Sequence, residues 1–336
     1  MDKKFFKTKE IKNILKKILE KYNANKEILE DISSSLILTS LRGIDTHGIS
    51  QIFNIIDRVN KKRSQLIKKA KIIKNNKNSA VVLIDGYLSP GQHSASFAAR
   101  ECYLKAKKYG IGIAVVKNST HFGACTPYVN YLTKKNMIAF VGSNSAQSML
   151  AFKSNKPNLG NNPFGFGGPI DKKFDFIFDF SSGVMSFGKL NNIIEKSLSV
   201  PKNAFKKINI KKNDVVYEIS KSVNYVALPF GDYKGASIAM MIEILSGILS
   251  SGNFGNKTEL LKKGKFFGPS HFVIAIDPKK FDCLNFSKNL KSYIFQVRKK
   301  KLRLPGFDSN KIEKKRRKNG IPLSKNFEKK INEIKF

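Results

Sequence analysis

Apolar residues at three- and four-residue spacing open the chain. Ile11, Ile14, Leu15, Ile18 and Leu19 share one face if residues 9–22 are helical. Ile28, Ile32, Leu36 and Leu38 repeat the pattern over 27–41. Asp45 or Thr46 can N-cap a third helix, with Ile49, Ile52, Phe53, Ile56 and Val59 on its inner face. A lysine-rich connection fills 61–78. From residue 80 the period shortens. Strands are predicted at 80–86, 111–119, 137–145, 174–183 and 271–278, and helices at 94–110 and 127–136. Gly110 closes the first of these helices. This β-α-β-α-β rhythm predicts an α/β lobe with a mixed sheet and flanking helices, behind a helical N-terminal segment. The lobes are expected to divide as 1–78 with 236–336, and 79–235. Residues 190–226 show no clear period.

Composition changes the picture in one respect. The chain has 336 residues, enough to bury a sizeable core, with 41% hydrophobic and 11% aromatic residues. Its 62 basic residues against 25 acidic ones give a formal charge of +37. Such a field favours nucleic acid or anionic surfaces. Yet the lysines recur along the whole chain instead of gathering in one arm, and Asn, Ile and Phe are abundant beside them. That distribution reads as a solvated surface, and the run "KIEKKRRK" at 311–318 as the end of a surface helix. Cys102, Cys125 and Cys283 are odd in number and widely spaced, which predicts neither a disulfide framework nor a zinc site. The apolar stretch 236–249 is too short to span a bilayer and carries Glu243, so a core helix is expected there. No apolar signal core follows the charged start, and a cytoplasmic protein is expected.

Candidate chemistry centres on two of the four histidines. "GIDTHGI" (43–49) and "STHFGA" (119–124) are short, polar, glycine-flanked blocks. Histidine suits proton transfer near neutrality, and the C-terminal ends of strands are where α/β sites gather. His47 is expected in the first turn of the third helix, and His121 in the loop after a strand. His93 and His271 lack such a setting and read as structural. No GxGxxG fingerprint survives inspection: Gly110-Ile111-Gly112 lacks the third glycine and "GFGGP" (165–169) runs into proline. A Rossmann dinucleotide site is excluded by that test, and no P-loop, HExxH or GxSxG is present.

Six blocks carry a resemblance. "LRGIDTHGI", "GIGIAVVKNSTHFGA", "LGNNPFGF", "FDFSSGVMSFGK", "LPFGDYKG" and "RLPG…RRKNGIPL" occur in order from about residue 10 to 325. Together they resemble the malate/L-lactate dehydrogenase family, which includes ureidoglycolate dehydrogenases, piperideine-carboxylate reductases and diketogulonate reductases. The resemblance implies an NAD- or NADP-dependent, non-Rossmann oxidoreductase for a small 2-oxo or 2-hydroxy acid, assembled as a homodimer. It implies that His47, with Thr46 beside it, and His121 flank the substrate, either one serving as the acid. It places cofactor contacts at Ser145, Asp179-Phe180-Ser181, Tyr233-Lys234 and Gly306-Phe307-Asp308. Asp179 enters the catalytic set as well, although an acid at a strand end often caps a turn. Asn162 falls on the substrate side. One departure stands out: Gln51 occupies the place of the family's arginine, which fits a carboxylate clamp. Losing that charge costs on the order of 1.5–3 kcal/mol in binding unless another base substitutes. A catalytically impaired relative and a basic nucleic-acid-binding protein are the alternatives.

Overall fold

The computed structural model describes residues 3–75, 78–171, 174–208, 224–262, 265–297 and 304–334. Helices Thr8–Lys21 and Lys26–Leu41 form where the 3.6-residue pattern runs. Asn25 caps the second by accepting from the Glu27 N–H at 3.0 Å. Their apolar faces meet helix Gln51–Asn60 and the C-terminal residues Ile321, Leu323, Phe327 and Ile331 in one buried cluster. Ile18, Ile32, Leu36 and Ile52 are wholly buried, each worth roughly 1.5–3 kcal/mol over exposure. Strand Lys3–Phe6 pairs antiparallel with Ile321–Ser324 and closes this layer.

The second layer is a seven-stranded mixed sheet. Its spatial order is Lys71–Lys74, Val81–Asp85, Ile111–Lys117, His271–Ile276, Ile138–Ser143, Pro163–Asp171 and Phe174–Ser181. Val81–Asp85 and Ile111–Lys117 are parallel, joined by helix Gly91–Tyr109, which Gly110 ends in a left-handed conformation (φ 85°). Strand His271–Ile276 lies within 236–336, a stretch grouped from sequence with residues 1–78 as a helical/α-β lobe. It instead sits in the middle of this sheet, antiparallel to both Ile111–Lys117 and Ile138–Ser143. The two strands of the β-α-β rhythm are thereby held apart.

Helices Gly91–Tyr109 and Thr126–Thr133 cover one face of the sheet. Helix Tyr233–Glu243 and its wider-wound continuation Ile244–Ile248 cover part of the other. A ladder of Phe164, Phe166, Phe176, Phe178 and Phe180 lines the hairpin edge, ring centroids 5.3–6.4 Å apart. The lysine-rich connection contains strand Lys71–Lys74, and the unassigned stretch contributes helix Phe187–Glu195 and strands Phe205–Lys207 and Tyr225–Ala227. The remainder of that stretch, 209–223, lies outside the described residues. Among the described residues, no helix is long and apolar enough to cross a membrane.

Candidate active site

The His47 turn is built from the end of helix Lys26–Leu41. Residues Asp45–His47 form a single 3-10 turn ahead of the third helix. The expected cap at Asp45 or Thr46 is therefore displaced: the helix begins at Gln51 behind Ser50, and His47 stands outside it. Chain crowding accounts for the shift. Gly48 packs so closely that an added Cβ would lie 2.0 Å from Ser40 Oγ, which accepts from the Ile49 N–H at 2.9 Å. Asp45 accepts from Arg316 on helix Phe307–Asn319, with Nη2–Oδ2 at 2.8 Å. Beneath it the buried guanidinium of Arg42 pairs with Glu313 at 3.1 Å. The basic run at 311–318 is indeed part of a surface helix, yet its inner residues clamp the histidine turn.

His121 follows strand Ile111–Lys117, as expected. Its loop is fastened by the inserted strand. His271 is fully buried, with Nε2 at 2.7 Å from Ser119 Oγ and Nδ1 at 2.8 Å from Ser143 Oγ. Its ring stacks on Phe122 at 4.8 Å, and Tyr128 Oη donates to the Phe122 carbonyl at 2.6 Å. Gly91 lets the start of helix Gly91–Tyr109 touch this loop, since a Cβ there would meet Thr120 O at 2.2 Å. His93 is likewise structural. Its Nε2 accepts from the Ala70 N–H, so Nδ1 carries the proton it donates to Asp31 at 2.7 Å. Glu27, Asp31 and His93 cluster closely, but Arg100 bonds both carboxylates and fills the role a cation would take.

The two loops converge. His47 and His121 lie with ring centroids 5.8 Å apart and planes inclined by 26°. Thr46 Oγ1 is 3.0 Å from His47 Nδ1 and orients that ring. Burial lowers the pKa of His47, and lowers that of His121 further, with Arg58, His47 and His271 adding to the effect on His121. Both imidazoles are neutral at pH 7. Helix Phe187–Glu195 closes over the turn: an added Cβ at Gly188 would lie 2.8 Å from Thr46 Cβ.

Other anticipated residues divide. Phe180 and Ser181 end their strand beside the start of helix Tyr233–Glu243. Phe180 stacks edge-on with Phe230 at 5.8 Å, and the Phe230 N–H donates to Ser182 O. Tyr233 and Lys234 are exposed there. The turn Gly306-Phe307-Asp308 lies elsewhere. Phe307 packs on Phe174 at 4.3 Å, at the opposite end of the strand, about 20 Å from Phe180 at 3.3 Å per residue. Asp179 accepts from Thr126 N–H and Oγ1, both at 2.8 Å, and so caps helix Thr126–Thr133. Asn162 is wholly buried and committed internally: Oδ1 accepts from Ser145 N and Oγ, and Nδ2 donates to Ala239 O and Glu243. Gln51 faces the site, but Nε2 donates to Thr46 O at 2.7 Å and Oε1 accepts from Asn54 at 2.9 Å.

Sequence reasoning missed Arg58, Gln92 and Thr120, which line the pocket beside His121. For Arg58 a signal existed, since it stands seven residues after Gln51 on the same helical face. Thr120 stood beside His121 within the "STHFGA" block, whereas Gln92 comes from a distant segment and offered none.

Comparison with known proteins places these features in company. The profile of the family described as malate/L-lactate dehydrogenase matches residues 6–332. Malate/(S)-sulfolactate dehydrogenase of Methanothermus fervidus is 28% identical over 330 residues, covering 97% of this chain and 95% of that protein. Malate dehydrogenase of Entamoeba histolytica superposes with a TM-score of 0.90 at 28% identity, covering 99% of this chain and 97% of the other. Sulfolactate dehydrogenase of Methanocaldococcus jannaschii shares the fold at a TM-score of 0.84 and 23% identity, over 98% and 96%.

Proposed function

Because the chain belongs to the malate/L-lactate dehydrogenase family, we propose that its two convergent histidines perform the proton chemistry of a hydroxy acid dehydrogenase. The chain is an oxidoreductase acting on the CH–OH of a 2-hydroxy acid or the carbonyl of a 2-oxo acid. The observation that carries the site assignment is the His47–His121 pair, 5.8 Å apart on loops from different layers. His47 is the proton-transfer group. Its pKa is lowered less than that of His121, so it stays nearer the range where acid–base catalysis is efficient. In oxidation the neutral imidazole accepts the hydroxyl proton, and in reduction the imidazolium returns it. Thr46 fixes the ring. His121, held neutral, hydrogen-bonds the reacting oxygen.

A pyridine nucleotide, NAD or NADP, supplies or accepts the hydride when bound. The residues beside Phe180 suit such a group. Lys234 offers a cation for phosphate or ribose, Tyr233 and Phe180 offer exposed rings, and Ser181 a hydroxyl. Gly235 brings backbone close, since a Cβ there would lie 2.5 Å from Ser182 O. Ser145 joins the proposed cofactor set on a non-Rossmann scaffold, whereas the turn Gly306-Phe307-Asp308, packed on Phe174 at the far end of the strand, lies apart from it. The substrate is a small 2-oxo or 2-hydroxy acid of the malate, lactate or sulfolactate kind. Met240, Ile244 and Ile248 stand 44–51% exposed at four-residue spacing, an apolar stripe that supports a homodimer. Light scattering should give twice 37.8 kDa, and a monomer would refute this assembly.

The deciding experiment titrates NADH and NADPH into the protein, then follows nicotinamide absorbance with a panel of 2-oxo acids. Binding of one cofactor and its oxidation by one acid is expected. Binding of neither would overturn the site assignment. The two alternatives, an impaired relative and a nucleic-acid binder, gain no support from these relatives.

A further inference from the structure

Arg58 stands where a substrate anion needs a cation. Residues 51, 54, 55 and 58 follow the i, i+3, i+4, i+7 pattern and face one way from helix Gln51–Asn60. All four line the pocket beside His121, together with Gln92 and Thr120. Among the described residues lining it, Arg58 is the one carrying positive charge, since both histidines are neutral. Gln51 supplies no charge, and one of its two Nε2 hydrogens is already given to Thr46 O. Arg58 is 29% exposed and uses Nη2 to donate to Glu259 Oε1 at 3.1 Å. A guanidinium has five donors, so the rest of the fork can meet a second carboxylate. Glu259 is itself held, its Oε2 accepting from the Ala146 N–H at 3.3 Å. A further observation points to a ligand in this pocket. Gln92 is 1% exposed, and its Oε1 has no hydrogen-bond partner among the described residues. An acceptor left unpaired in a protein interior is costly unless something fills it.

We propose that Arg58 binds the carboxylate of the 2-oxo or 2-hydroxy acid in place of the arginine missing at position 51, with Glu259 positioning its guanidinium and Gln92 accepting from the substrate hydroxyl. This rests on the dehydrogenase reading above. It identifies the base that compensates for Gln51 and explains how a chain with glutamine there keeps an anion site. Glu259 both orients Arg58 and competes for it, so removing its charge strengthens Arg58 as an anion site. The contribution of Arg58 to the lowered pKa of His121 agrees with a cation on the same wall.

The test uses the full chain loaded with NADH or NADPH, and oxamate as an unreactive 2-oxo acid isostere, measured by calorimetry. R58Q should raise the oxamate Kd on the order of 10- to 100-fold while nucleotide affinity and melting temperature hold. R58K, which keeps the charge but not the fork, should fall between. E259Q should tighten oxamate binding about threefold, because the competing charge is gone. A merely structural ion pair would make R58Q and E259Q weaken binding alike, and that result overturns the proposal. So does an unchanged oxamate Kd in R58Q, or a loaded wild type that binds neither oxamate nor any acid of the panel. A wild type that binds neither nucleotide instead overturns the cofactor reading.

Discussion

Asp179 offers a clean separation of two roles that its sequence position allows. It was expected among the cofactor and catalytic residues, and its carboxylate is found capping helix Thr126–Thr133. Asp179→Ala removes the acceptor from the Thr126 N–H and hydroxyl. Each donor left unsatisfied costs about 1–3 kcal/mol, and removing a carboxylate that burial leaves poorly solvated offsets part of this, so the lower end applies. The sum is about 2 kcal/mol. At roughly 2.1 cal/mol/K per residue, unfolding entropy for 336 residues is about 0.7 kcal/mol/K, so the melting temperature should fall by about 3 °C. Asp179→Asn keeps an acceptor and removes a carboxylate whose pKa burial has raised, a sign that its charge is poorly solvated. It should therefore melt within about 1 °C of the wild type. Differential scanning fluorimetry and NADH titration on both variants form the assay. An unchanged melting temperature in Asp179→Ala would refute the cap. Loss of nucleotide binding in Asp179→Asn, with stability intact, would return this residue to the cofactor site.

Other outcomes follow from the same geometry. Gly188→Ala places a methyl group 2.8 Å from Thr46 Cβ and should displace the His47 turn, lowering kcat at least tenfold with the circular dichroism melt little changed; undiminished kcat would show that helix Phe187–Glu195 does not abut the turn. Burial lowers the pKa of His271 to about 3, below its unfolded value near 6.5. The unfolded chain therefore binds the extra proton, and stability should fall as pH drops below 6.5, by up to about 1.4 kcal/mol per unit. Urea midpoints between pH 7.5 and 5.5 report this, and a flat profile would contradict it. Because the pKa of His47 is lowered too, the midpoint of the acid limb of kcat/KM for hydroxy acid oxidation should lie below the ordinary histidine value of about 6.5. His47→Asn should remove that acid limb, and retention of the limb would assign it elsewhere.

Much was legible in the chain because it depends on neighbours in sequence. The helical faces of Ile11–Leu19 and Ile28–Leu38 follow from a local 3.6-residue period, which short-range backbone hydrogen bonds impose. Gly110 announced a helix end because few residues adopt positive φ at low cost. The two histidine blocks stood out as polar, glycine-flanked breaks between apolar elements. Pro163–Asp171 was missed as a strand because its three glycines and two prolines oppose strand propensity. Pairing on both sides overrides that.

Only tertiary structure could decide the rest. Strand His271–Ile276 enters between two strands more than 120 residues earlier, and its buried histidine fastens both strand ends near His121. Helix Phe307–Asn319 returns to hold Asp45 and Arg42. Asp179 became a cap because helix Thr126–Thr133, packed against its strand, presents the Thr126 N–H and hydroxyl to its carboxylate. Arg58 and Gln92 line one pocket only after two layers pack. A side chain's secondary structure is set largely by its near neighbours, but its partner is set by whichever distant segment the closed chain brings within about 3 Å.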